Sequence, residues 1–179
     1  MKTNNIVFIA QSIDGYIADK NDGIEWLETI PNPEQKDLGY LPLMERIDAI
    51  IMGRTTYELV CSFDMAWPYT KPVFVLSNTL KSIPDELIGK VEIVNGQISS
   101  VLRNVNNKGY TQLYIDGGAT IHSFMEKDLI DELIITTIPV VLGGGIPLFR
   151  ELSNPLEFKL IRSELYLNEI VQNHYKRKR

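Results

Sequence analysis

Short apolar runs recur along the chain and alternate with segments in which the apolar residues have helical spacing. The runs cover residues 6–10, 48–52, 72–76, 91–94, 112–115 and 133–138. Runs this short and this apolar are typical of strands buried on both faces, as in a parallel sheet covered by helices. Between the runs we predict helices over 38–46, from residue 53 onward, over 98–105 and over 119–127. Alternating strands and helices predict an α/β fold with a mostly parallel central sheet.

The pattern changes near the C-terminus, where two strand-like segments lie close together. Residues 158–166 and 170–175 flank the turn residues Leu167, Asn168 and Glu169. This spacing predicts an antiparallel hairpin at the edge of the sheet. The chain has no internal repeat and no linker, so its 179 residues suit one domain over 1–179. A chain of this length buries roughly 70% of its extended surface on folding.

A diglycine follows the predicted strand at 112–115 and precedes a predicted helix. Gly117 and Gly118 permit a sharp turn and let a ligand approach main chain that carries no side chain. A helix that begins there presents unpaired N–H groups and the positive end of its dipole. This arrangement is typical of a phosphate or pyrophosphate site, and the alternative interpretation is a tight strand-to-helix connection.

A second turn of this kind, Gly53-Arg54-Thr55-Thr56, follows the strand at 48–52. Arginine can bind phosphate oxygens through two parallel hydrogen bonds, and threonine hydroxyls add neutral donors. The alternative interpretation is a helix capped by Thr55 or Thr56, with Arg54 in solvent. Two such turns favour a long anionic ligand such as a dinucleotide. The G-x-G-x-x-G fingerprint of the Rossmann fold is absent.

Two further segments are candidates for pocket walls. Leu76, Ser77 and Asn78 end a predicted strand with small polar groups that suit an adenine or ribose-phosphate edge, or form a simple turn. The glycines at 143–145 follow a strand signal and have apolar residues on both sides. Those flanks favour a loop that lines a pocket or packs closely on a partner over a flexible surface loop.

Charge and composition argue against several classes of function. The chain has 18 Lys and Arg against 23 Asp and Glu, a net charge of -5, so we expect no nucleic-acid partner. The basic cluster at 176–179 is interpreted as a solvated end. Cys61 is the single cysteine, and His122 and His174 are far apart in the sequence, so neither a disulfide nor a metal site is expected.

Membrane and export signals are also missing from the sequence. No apolar run approaches the ~20 residues of a membrane span, and the first residues lack a signal-peptide pattern. We therefore expect no membrane partner and a cytoplasmic location.

Several segments, in this order, resemble the dihydrofolate reductase-like proteins. They are 6–18, 48–58, 75–78, 114–119, 129–133, Pro139 and 142–149. The resemblance is closest to the branch related to the reductase domain of the bifunctional riboflavin-biosynthesis deaminase-reductase, and it runs from about residue 6 to residue 175. It implies a dihydrofolate reductase-like three-layer fold, a sheet of about eight strands with the C-terminal hairpin, and NADPH as cofactor.

By position, the resemblance assigns twelve residues to NADPH. Gly53, Arg54, Thr55 and Thr56 would bind the phosphates, and Gly117, Gly118, Ala119 and Thr120 would lie under the pyrophosphate. Leu76 and Ser77 would lie near the adenosine end, and Ala10 and Ile17 beside the nicotinamide. The charge of Arg54 and the hydroxyl of Ser77 favour NADPH over NADH.

The resemblance identifies the proton donor and the substrate-binding residues less directly than the cofactor site. Dihydrofolate reductases place a carboxylate on the first helix, but Glu34, Asp37 and Glu45 match no convincing version of that motif. The candidate proton donors are Asp14 and Asp37. The predicted substrate wall, each member of which could equally be core, consists of Asp14, Trp26, Tyr40, Met44 and Tyr57.

These expectations combine into an NADPH-dependent reductase. It would transfer a hydride to a C=N or C=O carbon of a small pterin-like or riboflavin-precursor-like heterocycle. The alternative is a non-catalytic nucleotide-binding protein that retains the reductase fold. The resemblance also implies a homodimer.

Overall fold

One eight-stranded sheet extends through the computed structural model, which describes residues 3–179. Its strands are β1 (Asn4–Ser12), β3 (Ala49–Gly53), β4 (Val73–Leu76), β5 (Val91–Val94), β6 (Gln112–Asp116), β7 (Glu132–Ile138), β9 (Phe158–Tyr166) and β10 (Ile170–Arg177). Two short strands, β2 (Tyr16–Ala18) and β8 (Ile146–Pro147), form a separate pair. The order across the sheet is β5-β4-β3-β6-β1-β7-β10-β9.

The predicted strand directions are confirmed. Neighbouring strands from β5 to β7 are parallel, whereas β10 runs antiparallel to both β7 and β9. The hairpin turns through Leu167 and Asn168, whose φ angles are 51° and 62°. These left-handed angles suit the tight turn that joins two antiparallel strands.

Helices cover both faces of the sheet and complete the three layers. They are α1 (Tyr40–Arg46), α2 (Arg54–Ser62), α3 (Ile98–Asn107) and α4 (Gly118–Met125), with short 3-10 helices at Glu25–Glu28 and Asp85–Leu87. The apolar face of α3 repeats at Ile98, Val101, Leu102 and Val105, the spacing of an amphipathic helix. It packs with α4 on one face of the sheet, and α1 and α2 pack on the other.

Each parallel strand supplies apolar side chains to both layers, which explains the uninterrupted runs. On β1, the adjacent residues Ile6 and Val7 are fully buried, Ile6 in the layer of α1 and α2 and Val7 in the layer of α3 and α4. On β3, Ile50 and Ile51 divide in the same way. Successive strand side chains point to opposite faces, so a strand covered twice must be apolar throughout.

The parallel register brings the two predicted glycine turns together. Met52 on β3 pairs with Asp116 on β6, so the residues that follow each strand leave the sheet at the same edge. Both α2 and α4 begin at that edge. Sites in open parallel sheets lie at the carboxyl ends of the strands, and this is where the cleft forms.

The basic C-terminal residues do not all lie in solvent, so that interpretation is wrong for Arg177, whose side chain is only 11% exposed. The Arg177 Nε donates to Asp128 Oδ1 at 2.7 Å, and the Arg177 N–H donates to the Asp131 carbonyl at 2.8 Å. Arg179 pairs with Asp131. The aspartates that bind these arginines come from the segment between α4 and β7. The sequence of the tail alone therefore does not reveal the ion pairs.

Within residues 3–179, no helix combines the length and the apolar character that crossing a membrane requires.

Candidate functional site

A cleft of about 560 Å³ opens at the carboxyl ends of the central strands, between α2 and α4. Eleven of the twelve residues predicted for NADPH line it: Ala10, Ile17, Gly53, Arg54, Thr55, Thr56, Leu76, Gly117, Gly118, Ala119 and Thr120. The twelfth, Ser77, is buried beside the cleft without lining it. Its hydroxyl accepts hydrogen bonds from the N–H groups of Thr79 and Leu80, at 3.2 and 2.9 Å. Ser77 therefore shapes the turn after β4.

The two turns interlock, and this contact requires glycine at both. A Cβ on Gly117 would lie 2.2 Å from Thr56 Oγ1, and a Cβ on Gly53 would lie 2.9 Å from Thr120 Oγ1. Gly117 also has a φ of 86°, a conformation that other residues seldom adopt. Each turn is therefore shaped around a threonine of the other.

Neither α2 nor α4 has a side-chain cap at its N-terminus. The first N–H groups of a helix usually find an acceptor, and here the residues that carry them line the cleft. The Thr55 or Thr56 cap considered from the sequence does not form. The positive ends of both helix dipoles make the cleft suitable for an anion.

Two arginines add positive charge to the cleft. Arg54 lies at the start of α2 and is half-exposed, with its Nε 3.7 Å from Glu58 Oε1. Arg150 lines the cleft from the segment after β8. Sequence reasoning missed Arg150, because nothing in the residues around it marks it as part of a site formed by distant strands.

The strands β2 and β8 form a flap over the diglycine turn. A Cβ on Gly118 would lie 2.7 Å from Ile17 Cδ1 of β2 and 3.7 Å from Ile146 Cγ2 of β8. The chain approaches β2 closely just before β8, where a Cβ on Gly145 would lie 2.0 Å from the carbonyl oxygen of Ala18. The glycine-rich segment thus packs closely against β2 of the flap, and its glycines do not line the cleft.

Asp14 holds the flap and does not line the cleft. Its carboxylate accepts from the N–H groups of Leu142 and Gly143, at 3.1 and 2.8 Å, and from the Ser12 hydroxyl at 2.6 Å. The Ser12 hydrogen bond and the two N–H groups lower the pKa of the Asp14 carboxyl. A lowered pKa and an occupied carboxylate are the opposite of what a proton donor needs, so the geometry does not support that role for Asp14.

Asp37, the other candidate proton donor, caps α1. Its carboxylate accepts from the N–H groups of Tyr40 and Leu41, at 3.1 and 3.2 Å. The side chain is exposed and does not reach the cleft. An aspartate at this position stabilises the first turn of the helix, and the geometry does not support a catalytic role for it.

Two carboxyl groups line the cleft: Asp116 lies at the end of β6 beside the diglycine, whereas Asp22 is exposed in the loop after β2. Burial raises the pKa of Asp116 to about 6, although the Gly117 N–H and the Tyr114 hydroxyl act in the opposite direction. The Gly117 N–H donates to Asp116 Oδ1 at 2.8 Å. Sequence reasoning considered Asp116 only as part of the turn. The available signal was a carboxylate ending an otherwise apolar central strand.

Aromatic residues gather beside Asp116 on the layer of α1 and α2; we call Tyr40, Tyr57, Trp67, Tyr69 and Tyr114 the aromatic wall. The ring centroids of Tyr57 and Trp67 are 6.0 Å apart, and those of Trp67 and Tyr69 are 5.2 Å apart. Burial is the main reason that the pKa values of Tyr40, Tyr69 and Tyr114 are raised, and the charge of Asp116 adds to each shift.

The four predicted substrate residues other than Asp14 divide between two clusters. Tyr40, Met44 and Tyr57 pack in the cluster that contains the aromatic wall, whereas Trp26 packs with Ile138 and Ile170. None of the four lines the cleft. Trp67 and Tyr69, which follow α2, pack against the same cluster as Tyr40, Met44 and Tyr57 and do not line the cleft.

In the part of the chain from Thr3 to Arg179, no group of three or more His, Cys, Asp or Glu residues is placed to hold a metal ion.

Two proteins with substantial sequence identity match the chain over nearly its whole length. A protein of Shewanella sp. PV-4 whose name refers to riboflavin biosynthesis is 52% identical, with a TM-score of 0.96, and the match covers 98% of this chain and 99% of that one. YwjB of Bacillus subtilis (strain 168) is 36% identical over 179 residues, covering 99% of both chains.

A more remote structure shares the fold. The dihydrofolate reductase of Enterococcus faecalis, solved with NADP(H) and RAB-propyl, is 14% identical with a TM-score of 0.67, and the match covers 98% of this chain and 97% of that one. The model of the RibD C-terminal domain family matches residues 5–172. The chain therefore belongs to the RibD C-terminal domain family.

Proposed function

We propose that this protein is an NADPH-dependent reductase that transfers a hydride to a C=N or C=O carbon of a small heterocycle. The observation that carries the proposal is the convergence of two uncapped helix starts and one carboxyl of raised pKa in a single cleft. Membership of the RibD C-terminal domain family supports it, as does the fold shared with a dihydrofolate reductase that binds NADP(H). The protein acts in this proposal as one reductase domain.

The residues of the cleft fit a dinucleotide. Gly53, Gly117 and Gly118 leave main chain uncovered at the two helix starts, where phosphate oxygens would accept N–H hydrogen bonds. Arg54 and Arg150 would balance the negative charge. Ala10 and Ile17 would lie against the nicotinamide. Bound there, NADPH supplies the hydride.

The remaining tasks belong to the protein. The flap covers the diglycine with Ile17 and Ile146, which would exclude water from the cleft. The cleft and the aromatic wall would hold the two reactants at attack distance.

Asp116 would deliver the proton that the reduced substrate requires. A carboxyl whose pKa is about 6 keeps a protonated fraction near neutral pH and returns to the carboxylate once it has donated. The carboxylates of Asp14 and Asp37 are already engaged by backbone N–H groups. Asp116 therefore replaces both as the proposed donor.

The experiment compares two substitutions at one position. Gly118→Asp places a carboxylate where phosphate would bind, and Gly118→Ala adds the same Cβ without the charge. The Cβ would be too close only to the flexible end of Ile17, so the alanine variant should retain most of the NADPH affinity. We expect the aspartate variant to bind at least about 30-fold more weakly, in line with the repulsion between close like charges.

Fluorescence titration with NADPH measures both variants and the wild type. Saturable NADPH binding by the wild type, together with much weaker binding by Gly118→Asp than by Gly118→Ala, supports the site. Equal affinities of the two variants would mean that the diglycine does not contact the cofactor. NADPH oxidation assays with pterin, flavin-precursor and quinone-type compounds then test for catalysis. Binding without turnover on any compound would favour the non-catalytic alternative, and no saturable NADPH binding would end the proposal.

A further inference from the structure

A second cavity, of about 450 Å³, lies between α1 and the hairpin of β9 and β10. Phe8 of β1, Leu43 of α1 and Ile134 of β7 line it, together with residues of both hairpin strands. Phe8 also packs against Tyr40, with ring centroids 6.3 Å apart, so the cavity adjoins the aromatic wall. Within residues 3–179, the cavity and the cleft have no lining residue in common.

One row of the sheet connects the cavity to the cleft. Ala10 on β1 pairs with Thr136 on β7, and Thr136 pairs with Gln172 on β10. Paired residues of neighbouring strands have their side chains on the same face, with Cβ atoms about 5 Å apart. Ala10 lines the cleft, where the proposed function places the nicotinamide, and Gln172 lines the cavity. A substrate beside the nicotinamide on this face can therefore extend towards Gln172.

The side chain of Gln172 is buried, and its amide has a fixed orientation. The residue is 3% exposed, and its Nε2 donates to the Leu38 carbonyl oxygen at 2.8 Å and to Thr136 Oγ1 at 2.9 Å. A carbonyl oxygen can only accept, so the amide nitrogen must face Leu38 and Oε1 must face away from it. Within residues 3–179, Oε1 accepts no hydrogen bond and is not fully enclosed by protein. The cavity therefore contains a fixed acceptor without a donor.

Gly39 leaves this acceptor uncovered. A Cβ on Gly39 would lie 3.2 Å from Gln172 Oε1 and 3.7 Å from Phe8 Cε2. Gly39 precedes α1 with a φ of 94°, a conformation that also favours glycine. The chain thus has no side chain at the point where the acceptor and the ring of Phe8 face the cavity.

The charged residues of the cavity already have partners. Arg46 Nη2 donates to Glu132 Oε2 at 2.8 Å, and His174 Nε2 contacts the same oxygen at 2.9 Å. Arg162 pairs through its Nε with Glu164 at 3.2 Å. Each arginine is therefore balanced by a carboxylate. The amide oxygen, in contrast, is neutral and selects a ligand by its hydrogen-bond donor and not by its charge.

We propose that Gln172 determines substrate specificity, because its Oε1 accepts a hydrogen bond from an N–H group of a substrate that enters the cavity from beside the nicotinamide. The assignment rests on the proposed reductase function and names a specificity-determining residue for the same site. A substrate that is methylated at this nitrogen leaves Oε1 without a donor. A site built to bind an N–H group rejects such an analogue, since a buried acceptor without a partner is costly.

Matched ligand pairs that differ in one N–H group test the assignment. Lumazine is compared with 3-methyllumazine, and 5,6-diaminouracil with 5,6-diamino-3-methyluracil, by calorimetric titration with and without NADP⁺. In at least one pair, the wild-type protein should bind the N–H compound about 10-fold more tightly than the methylated one. Equal affinities within both pairs, or no binding of any of the four compounds, would overturn the assignment.

Substitutions then separate the acceptor from the size of the ligand. Gln172→Met removes Oε1 and keeps the length of the side chain, so the preference for the N–H compound should fall to less than about twofold. Gly39→Ala covers Oε1 and leaves the hydrogen bonds of Nε2 in place, so the N–H compound should bind roughly 5- to 20-fold more weakly.

Gly109→Ala is the matched control for backbone strain. Gly109 has a φ of 95°, almost the same as that of Gly39, but a Cβ there would meet nothing within 4 Å. The control should bind both members of each pair like the wild type. A wild-type preference for the N–H compound in both Gln172→Met and Gly39→Ala would overturn the assignment, and so would equal effects of Gly39→Ala and Gly109→Ala.

Failure of this inference differs from failure of the reductase proposal. NADP⁺ affinity is measured on every variant and should stay within about twofold of the wild type, because Gly39 and Gln172 do not line the cleft. Wild-type protein that binds NADP⁺ without preferring the N–H compounds overturns the role of Gln172 and leaves the reductase intact. Wild-type protein that does not bind NADP⁺ overturns the reductase, and the titrations without NADP⁺ still decide whether Gln172 selects the N–H group.

Discussion

At the residue scale, the environment of each carboxyl group decides what it can do. Asp14 and Asp116 are the same residue type, but hydrogen bonds lower the pKa of Asp14 and burial raises that of Asp116 to about 6. Asp37 is a helix cap. The sequence could identify the aspartates but could not rank them as proton donors, because the ranking depends on burial and on donors from distant segments.

A pH-rate profile tests the role of Asp116. Because its pKa is raised, the protonated form dominates below about pH 6 and falls about tenfold per pH unit well above it. We expect the rate of the chemical step to fall in the same way as the pH rises. Asp116→Asn should lower this rate by about 10²–10⁴-fold and remove the dependence on this group.

NADP⁺ affinity of the Asp116→Asn variant separates loss of a proton donor from damage to the cofactor site, since only the second would weaken binding. A variant that keeps the wild-type pH profile would contradict the assignment.

At the element scale, the flap is the part of the site that the local sequence pattern predicts least well. β2 has three residues and β8 has two, too few to show a period. Asp14 lies in the turn before β2 and accepts hydrogen bonds from the N–H groups of Leu142 and Gly143, in the segment that leads into β8. The helices and long strands, by contrast, carry enough turns or alternations for the pattern to predict them.

Asp14→Asn should loosen the flap. The amide retains only one acceptor oxygen, so one of the two backbone N–H bonds is lost, and we expect NADP⁺ to dissociate roughly 5- to 20-fold faster. Stopped-flow displacement measures the dissociation rate.

The matched control for the flap is Asp19→Asn, which removes the same charge nearby. The Asp19 carboxylate accepts only within its own turn, from the N–H groups of Asn21 and Gly23 at 2.7 and 2.9 Å. The Asp19→Asn substitution should change the NADP⁺ dissociation rate by less than about twofold. Equal effects of the two substitutions would mean that charge, and not the flap contact, controls dissociation.

At the scale of the whole molecule, Glu132 connects three elements across the sheet. Its carboxylate accepts from Arg46 at the end of α1 at 2.8 Å, from Asn4 of β1 at 3.1 Å, and contacts His174 Nε2 of β10 at 2.9 Å. The His174 contact is the largest cause of a pKa lowered to about 2, and Arg46 and Asn4 add to it. The side chain is 9% exposed, so solvent screens this network little.

Glu132→Gln should destabilise the fold near neutral pH by about 2–4 kcal/mol, because a buried charge network loses its anion. The lowered pKa means that the stabilisation is fully present above pH 4.5 and is lost as the pH falls towards 2. Urea unfolding at several pH values should show the two proteins converging as the solution becomes acidic.

Glu92→Gln is the control for this network. Glu92 pairs with Lys108 on the surface, where both side chains are more than a third exposed. Exposed pairs contribute little, so this variant should lose less than about 1 kcal/mol at any pH. A comparable loss in both variants would contradict the importance of the Glu132 network.

The sequence alone determined the layers of this protein and the location of its cleft. Uninterrupted apolar runs indicated strands covered on both faces, and the glycines at 53, 117 and 118 marked where those strands turn into helices. These signals are local: side-chain periodicity and backbone freedom act within a few residues of chain. Parallel neighbours then place the turns at one edge of the sheet, so eleven residues predicted from the family resemblance meet in one cleft.

Only the tertiary structure decided which groups complete the site. The place of Arg150 in the cleft and the raised pKa of Asp116 depend on segments that approach from elsewhere in the chain, as do the flap contact of Asp14 and the ion pairs of Arg177. Burial and charge at a side chain are set by its neighbours in space. A sequence pattern records which residues can take part in a site, and the packing of distant segments settles what each one does.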